Sequence, residues 1–133
     1  MILARSNGGF FQLSKNLAIT SKYGNFRHGA VLENNSAILG VGVNNERYCS
    51  VGSKYRPEHK GHSTYHAEIH AILNLPRHIT KGSTIYVARA SKADGTYRQS
   101  KPCAMCHAVL TERGIKKVFY SVDEETAGFY KIT

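Results

Sequence analysis

Tyr65-His66-Ala67-Glu68-Ile69 and Lys101-Pro102-Cys103-Ala104-Met105-Cys106 are the two stretches around which the chain is read. Together they spell His-x-Glu followed by Pro-Cys-x-x-Cys. One imidazole and two sulfurs make three protein ligands for zinc. Three ligands leave the fourth tetrahedral position to water, which is the arrangement of a catalytic zinc and not of a structural one. Such an ion lowers the pKa of its water to about 7. Glu68 follows His66 by two residues and does not share its helical face, so it reads as a group that reaches the water, not as a fourth ligand. Cys103 and Cys106 are three apart and therefore neighbours on one helical turn. Thiolates at a helix start also gain from the positive end of the helix dipole.

Each half is weak alone. Cys-x-x-Cys is also a redox or structural-zinc pattern. In this order, with proline directly before the first cysteine, the combination is specific. Two other readings compete with it. Cys103 to His107 also spells Cys-x-x-Cys-His, a c-type haem attachment, but that chemistry belongs to an exported compartment and gives His66 and Glu68 no role. A non-catalytic zinc-stabilised binding module would close the metal with His70 or His107 and make Glu68 dispensable. His70, four residues after His66, could ligate zinc. With two cysteines already supplying ligands, it reads more simply as a supporting or core residue.

The 133 residues predict a single domain, residues 1–133, with a real core. Hydrophobic content of 41% and charged content of 20% are ordinary for a globular chain and exclude disorder as the default. No apolar run is long enough to span a bilayer. Met1 to Arg5 is too short for a signal-peptide core, so a cytoplasmic protein without a membrane partner is expected. With two of the three cysteines assigned to the metal, Cys49 reads as a free thiol. The formal net charge of +9 attracts phosphates, in a nucleotide or a polynucleotide. The basic residues are spread out, so no separate nucleic-acid arm is predicted.

Residues 10–21 read as an amphipathic helix, with Phe10, Leu13, Leu17 and Ile19 near helical spacing. Residues 28–33 read as a buried strand, 34–36 as a hairpin turn and 37–43 as the returning strand. Gly40 and Gly42 within that strand mark a close approach by a ligand or another backbone. Residues 46–64 show no period and read as a long binding loop holding His59 and His62. Residues 63–75 read as a helix capped by Ser63 or Thr64 and stopped by Pro76. Residues 84–90 read as a strand and 91–101 as a polar loop. Pro102 opens a helix that runs to Arg113, with Gly114 as its cap. Residues 115–121 read as a strand, parallel to the one before the helix, and 123–133 as a short tail. The order predicts an α/β domain with a mixed central sheet flanked by helices.

At His66-Ala67-Glu68, Pro102-Cys103-Ala104-Met105-Cys106 and the strand after Gly114, the chain resembles the cytidine/deoxycytidylate deaminase superfamily. The likeness runs from about Phe10 to Ser121. It implies a three-layer fold with a sheet of about five strands and zinc between two helix starts. It implies that His66, Cys103 and Cys106 hold Zn2+ and that Glu68 shuttles protons in a hydrolytic deamination releasing ammonia. Gly40-Val41-Gly42-Val43-Asn44 looks like the family strand whose final Asn contacts the nucleoside. By the same likeness Ala67 and Pro102 lie beside the base, with backbone amides at Ala67 and Cys103 as its partners. The first substrate expected is free deoxycytidylate or cytidine. Cytosine or adenine in single-stranded DNA or tRNA is the alternative, with Tyr48, Tyr55, Tyr65 and Tyr97 as aromatic candidates to hold a base. Relatives of this fold are often oligomers, so a homo-oligomer is also expected.

Overall fold

β1 (Arg27–Asn34) separates the layers, because its alternate side chains go to opposite cores. The structure is a computed structural model, and it describes residues 8–21, 27–48, 64–72, 75–91, 94–123 and 126–132. α1 (Gly8–Thr20) precedes β1. After β1 come β2 (Ala37–Val43), β3 (Asn45–Tyr48), β4 (Thr64–Tyr65), α2 (Ala67–Ile72) and α3 (Arg77–Thr80). The chain continues through β5 (Thr84–Ala90), β6 (Tyr97–Arg98), α4 (Ala104–Glu112), β7 (Lys117–Ser121) and β8 (Ala127–Lys131). The main sheet has the order β2-β1-β5-β7-β8, with β6 pairing onto β5. β5 and β7 run parallel, as a strand-helix-strand succession requires, and the other pairings are antiparallel.

On one face Ala30, Leu32, Ile85, Val87 and Val118 pack with residues of α2 and α4, including Cys106. On the other face Phe11, Val31, Tyr86 and Ala88 form a second cluster under α1. There Tyr86, Phe119 and Phe129 stand in register on three neighbouring strands. Tyr86 and Phe119 stack with centroids 5.1 Å apart, Phe129 leans on Phe119 at 4.8 Å with its ring tilted by 34°, and Phe11 meets Tyr86 edge-on. The buried line of α1 is Phe11, Ser14 and Ala18, with Ile19 45% exposed. The expected stripe through Ile19 is therefore rotated. Ser14 sits in it because its hydroxyl donates to Tyr86 O at 3.0 Å.

β2 lies under α2 at unusually short range. A Cβ on Gly42 would stand 2.3 Å from Ala67 O, and one on Gly40 would stand 2.2 Å from Ala71 O. These glycines admit a helix backbone, which is one of the two causes their placement suggested. Helix α2 begins directly after His66, so this contact also sets the height of the metal segment. Gly42→Ala is expected to push α2 outward and destabilise the fold by about 1–3 kcal/mol. Zinc retention should fall with it, and a urea titration beside a zinc assay checks both.

Several boundaries differ from the sequence reading. Thr64 does not cap a helix but belongs to β4, which pairs with β3 in a separate two-stranded sheet. The expected loop therefore has strand at both ends, whereas Cys49, His59, His62 and Ser63 lie outside the described residues. Leu75 lies beyond α2. The tail expected after Asp123 contains β8, a full edge strand antiparallel to β7. Gly128 fits there because the Tyr120 ring covers it, within 2.4 Å of where a Cβ would stand. At the end of α4, Gly114 takes φ +73°. The amides of Gly114 and Ile115 donate back to Thr111 O and Leu110 O, each at 3.1 Å, which completes the cap.

Candidate active site

His66, Cys103 and Cys106 come together although the first is far from the other two in sequence. His66 ends the β4 segment directly before α2, Cys103 is the N-cap of α4, and Cys106 lies in its first turn. His66 Nδ1 is 3.3 Å from Cys106 Sγ and 3.8 Å from Cys103 Sγ. All three ligand atoms lie within 4.8 Å of one another. Zinc–sulfur and zinc–nitrogen bonds at a tetrahedral angle separate such atoms by about 3.6 Å, so the cluster has the size and the donor set for zinc. Among the described residues no His, Cys, Asp or Glu joins these three as a fourth ligand. His70 Nδ1 is 3.0 Å from both the amide and the carbonyl of Val43, tying α2 to β2. His107 Nδ1 is 3.3 Å from Tyr130 Oη. Neither candidate for closing the metal does so. Both sulfurs gather on His66, which the haem reading leaves without a role.

The two thiols differ in setting. Cys106 is buried and Cys103 exposed. The Cys106 thiol donates to Cys103, which with His66 nearby holds Cys103 down to about 3. The same bond, then burial, pushes Cys106 up. Zinc bound by both sulfurs would displace that shared proton. Glu68 is only 4% exposed. Burial raises its carboxyl, while the charge of His66 pulls it back. A buried carboxyl therefore stands against the ligand cluster, in electrostatic contact with His66, Cys103 and Cys106.

The Pro-Cys segment is held by a buried pair of hydroxyls that the sequence reading did not use. Ser100 and Ser121 are 2% and 0% exposed. Ser100 Oγ donates to Val87 O at 2.8 Å and accepts from Ser121 N at 2.8 Å. Ser100 N donates to Ser121 O at 2.9 Å, and Ser121 Oγ accepts from Arg89 N at 3.2 Å. The chain thus leaves the sheet from a fixed point three residues before Cys103. Ser121→Ala should cost about 1–3 kcal/mol by leaving buried groups unpaired. Combined with Ser100→Ala, the two losses should add to less than their sum in a denaturant double-mutant cycle.

Asn44 is buried at the end of β2. Its Oδ1 accepts from Ser21 Oγ at 2.8 Å and from His28 N at 2.9 Å. The next residue, Asn45, pairs with Tyr65 across β3 and β4, which brings Asn44 beside the His66 segment. Ala67 and Pro102 are both buried next to the ligands. Tyr97 belongs to the cluster under α1, on the sheet face away from the metal cluster, so it is not a base-holding aromatic of this site. Tyr55 and the side chains of Tyr48 and Tyr65 lie outside the described residues. Tyr130 of β8, missed in the sequence, stands near the site. Burial and then the charge of Glu68 push its phenol up to about 12. Among the described residues no helix is long and apolar enough to cross a membrane.

A mixed sheet flanked by helices, carrying a three-ligand zinc cluster at a helix start, defines a zinc-dependent hydrolytic deaminase. Residues 5–122 match the family described as cytidine and deoxycytidylate deaminase zinc-binding region, and the chain belongs to that family. Its fold is similar to that of a cytidine deaminase from Burkholderia pseudomallei, with TM-score 0.67 and 17% identity, covering 96% of this chain and 93% of that one. It is also similar to dCMP deaminase from the cyanophage S-TIM5, with TM-score 0.57 and 18% identity, covering 86% of this chain and 80% of that one. The phage enzyme in complex with dCMP and dUMP aligns with TM-score 0.50 and 19% identity, over 83% of this chain and 74% of that one. Among curated proteins none matches.

Proposed function

We propose that the chain is one deaminase domain that converts a cytosine-type base to uracil and releases ammonia, acting on a free (deoxy)cytidine nucleotide or nucleoside such as dCMP. The observation that carries this reading is the burial of Glu68 beside the His66, Cys103 and Cys106 cluster. His66, Cys103 and Cys106 would hold zinc, which would supply a water acidic enough to act as nucleophile near neutral pH. Glu68 would take one proton from the water as its oxygen bonds to the ring carbon bearing the amine, give that proton to the ring nitrogen, and carry the remaining hydroxyl proton to the departing amine. The carbon–nitrogen bond to the amine breaks, and the water oxygen becomes the carbonyl of the product. Ala67 and Pro102 border the base, with the amides of Ala67 and Cys103 as hydrogen-bond donors to it. Asn44 contacts the sugar, its side chain positioned by the bonds that its Oδ1 accepts from Ser21 and His28.

Ammonia release measured on dCMP, cytidine, adenosine, single-stranded DNA and tRNA tests the reading. Turnover of dCMP or cytidine, with weak dependence on salt, is the expected result. Turnover confined to the polymers, falling steeply with salt, would transfer the activity to nucleic acid, a partner the +9 charge would also suit. No turnover on any of them by zinc-loaded protein would contradict the reading.

A further inference from the structure

On the sheet face away from the ligand cluster, a column of rings crosses the strands and ends at the sheet edge. Phe10 of α1 stacks on Tyr86 of β5 with centroids 5.0 Å apart. Tyr86 stacks on Phe119 of β7 at 5.1 Å, and Phe119 meets Phe129 of β8 at 4.8 Å. The last two spacings match the distance between neighbouring strands, so these rings turn their faces toward each other and not up from the sheet. β8 is the last strand of that sheet, and α1 packs mainly over β1 and β5. Tyr86 is accordingly 3% exposed and Phe129 44%. The column begins in the core and ends at a ring open to solvent. Two lysines flank this open end. Lys117 pairs with Lys131 across β7 and β8, two residues along from the pair Phe119 and Phe129, hence on the same face. Lys131 is exposed and Lys117 half-buried. Like charges directly opposite each other on a sheet cost stability. The carboxylate of that row, Glu33, stands two strands away on β1. Among the described residues neither ammonium forms an ion pair.

We infer that Phe129, Lys117 and Lys131 form a docking edge for single-stranded nucleic acid, on the side of the sheet opposite the zinc ligands and separate from the site of deamination. A base continues the ring column by stacking on the outer face of Phe129, and the neighbouring phosphates lie against the two ammonium groups. A nucleic-acid strand carries a flat ring and an anion in every repeating unit, which is the pairing this edge presents in reverse. One stack and two point charges would hold a free nucleotide only in the millimolar range. A strand adds contacts with the rest of the surface, whose formal net charge is +9, so the polymer is the occupant. A second copy meeting this edge about a two-fold axis would set four lysines together. An acidic protein would answer the lysines without supplying a ring at each step.

The probe is a fluorescent thymidylate oligonucleotide of about 15 nucleotides. Thymine has no exocyclic amine, so the strand is not consumed at the zinc site. Anisotropy titration with zinc-loaded protein at about 50 mM salt should give a Kd below about 100 µM. Phe129→Leu keeps an apolar side chain and removes the ring. It should weaken binding about fivefold or more and leave the salt dependence unchanged. Lys131→Ala should lower the slope of log Kd against log salt by about 0.7. A duplex of the same length, free dTMP and polyglutamate should each bind at least about fivefold more weakly than the strand. Ammonia release should stay within about twofold of wild type in both variants, so failure of this edge leaves the deaminase reading standing. No binding of the strand, or equal binding by wild type and Phe129→Leu, would overturn the edge. So would a duplex, dTMP or polyglutamate bound as tightly as the strand. Self-association of wild type that is lost in Phe129→Leu would overturn it in favour of a second copy. Where Phe129→Leu also lowers Tm, Lys131→Ala decides, because its exposed side chain lies outside the ring column: an unchanged salt slope overturns the edge.

Discussion

Glu68→Gln should retain zinc and lose turnover by at least about a thousandfold. The substitution keeps the shape of the side chain and removes its ability to accept a proton. Glu68 is not among the three clustered ligands, so the zinc content of the variant should equal that of wild type. The carboxyl is buried, and its burial disfavours the charged form. A neutral amide in the same place relieves that desolvation, so thermal stability should be unchanged or slightly higher. A variant that is inactive, metal-loaded and undiminished in stability would assign the proton traffic to this residue. Ammonia release within about tenfold of wild type would remove Glu68 from the proton path.

The second large effect concerns the metal and the fold together. Cys106 is fully buried in the core cluster that joins α2, α4 and the sheet, so its bond to zinc reaches from the site into the interior. Cys106→Ser should weaken zinc binding by more than about a hundredfold, beyond the usual effect of losing a supporting contact. A ligand that binds only the folded state stabilises it by about 2.7 kcal/mol at a hundred times its dissociation constant. Chelation of the wild-type protein should therefore lower Tm on the order of 10 °C. The same chelator should leave Cys106→Ser almost unmoved, since that variant has already lost the ion. A thermal melt with and without chelator checks both arms. A wild-type Tm that ignores the chelator would show that zinc carries little of the fold.

How much of this was legible in the residues varies by element. The ligand set was readable because zinc chemistry restricts residue types and spacing, and His66, Cys103 and Cys106 do gather as expected. β2 and β5 were readable to the residue, since Ala37–Val43 and Thr84–Ala90 are apolar runs bounded by turn residues. The hairpin between β1 and β2 was signalled by Asn35, which with Ser36 adopts positive φ. β8 was not legible, because Ala127-Gly128-Phe129-Tyr130-Lys131 has no β-branched residue and contains a glycine. Its stability comes from cross-strand partners, Phe119 against Phe129 and Tyr120 over Gly128, which a local pattern does not contain. The start of α2 was misread for a related reason. Thr64 and Tyr65 look like a helix entrance, but pairing with β3 draws them into a ladder. The hydroxyl pair of Ser100 and Ser121 was equally hidden, since its meaning depends on two segments meeting.

The site account depends on one imidazole and two thiolates sharing an ion that still carries a water. X-ray absorption at the zinc edge, on protein loaded with one equivalent of zinc, tests this most directly. The expected first shell holds two sulfurs at about 2.3 Å and two lighter atoms at about 2.0 Å, one from an imidazole and one exchangeable. A shell with four protein donors, or one lacking sulfur, would contradict the account.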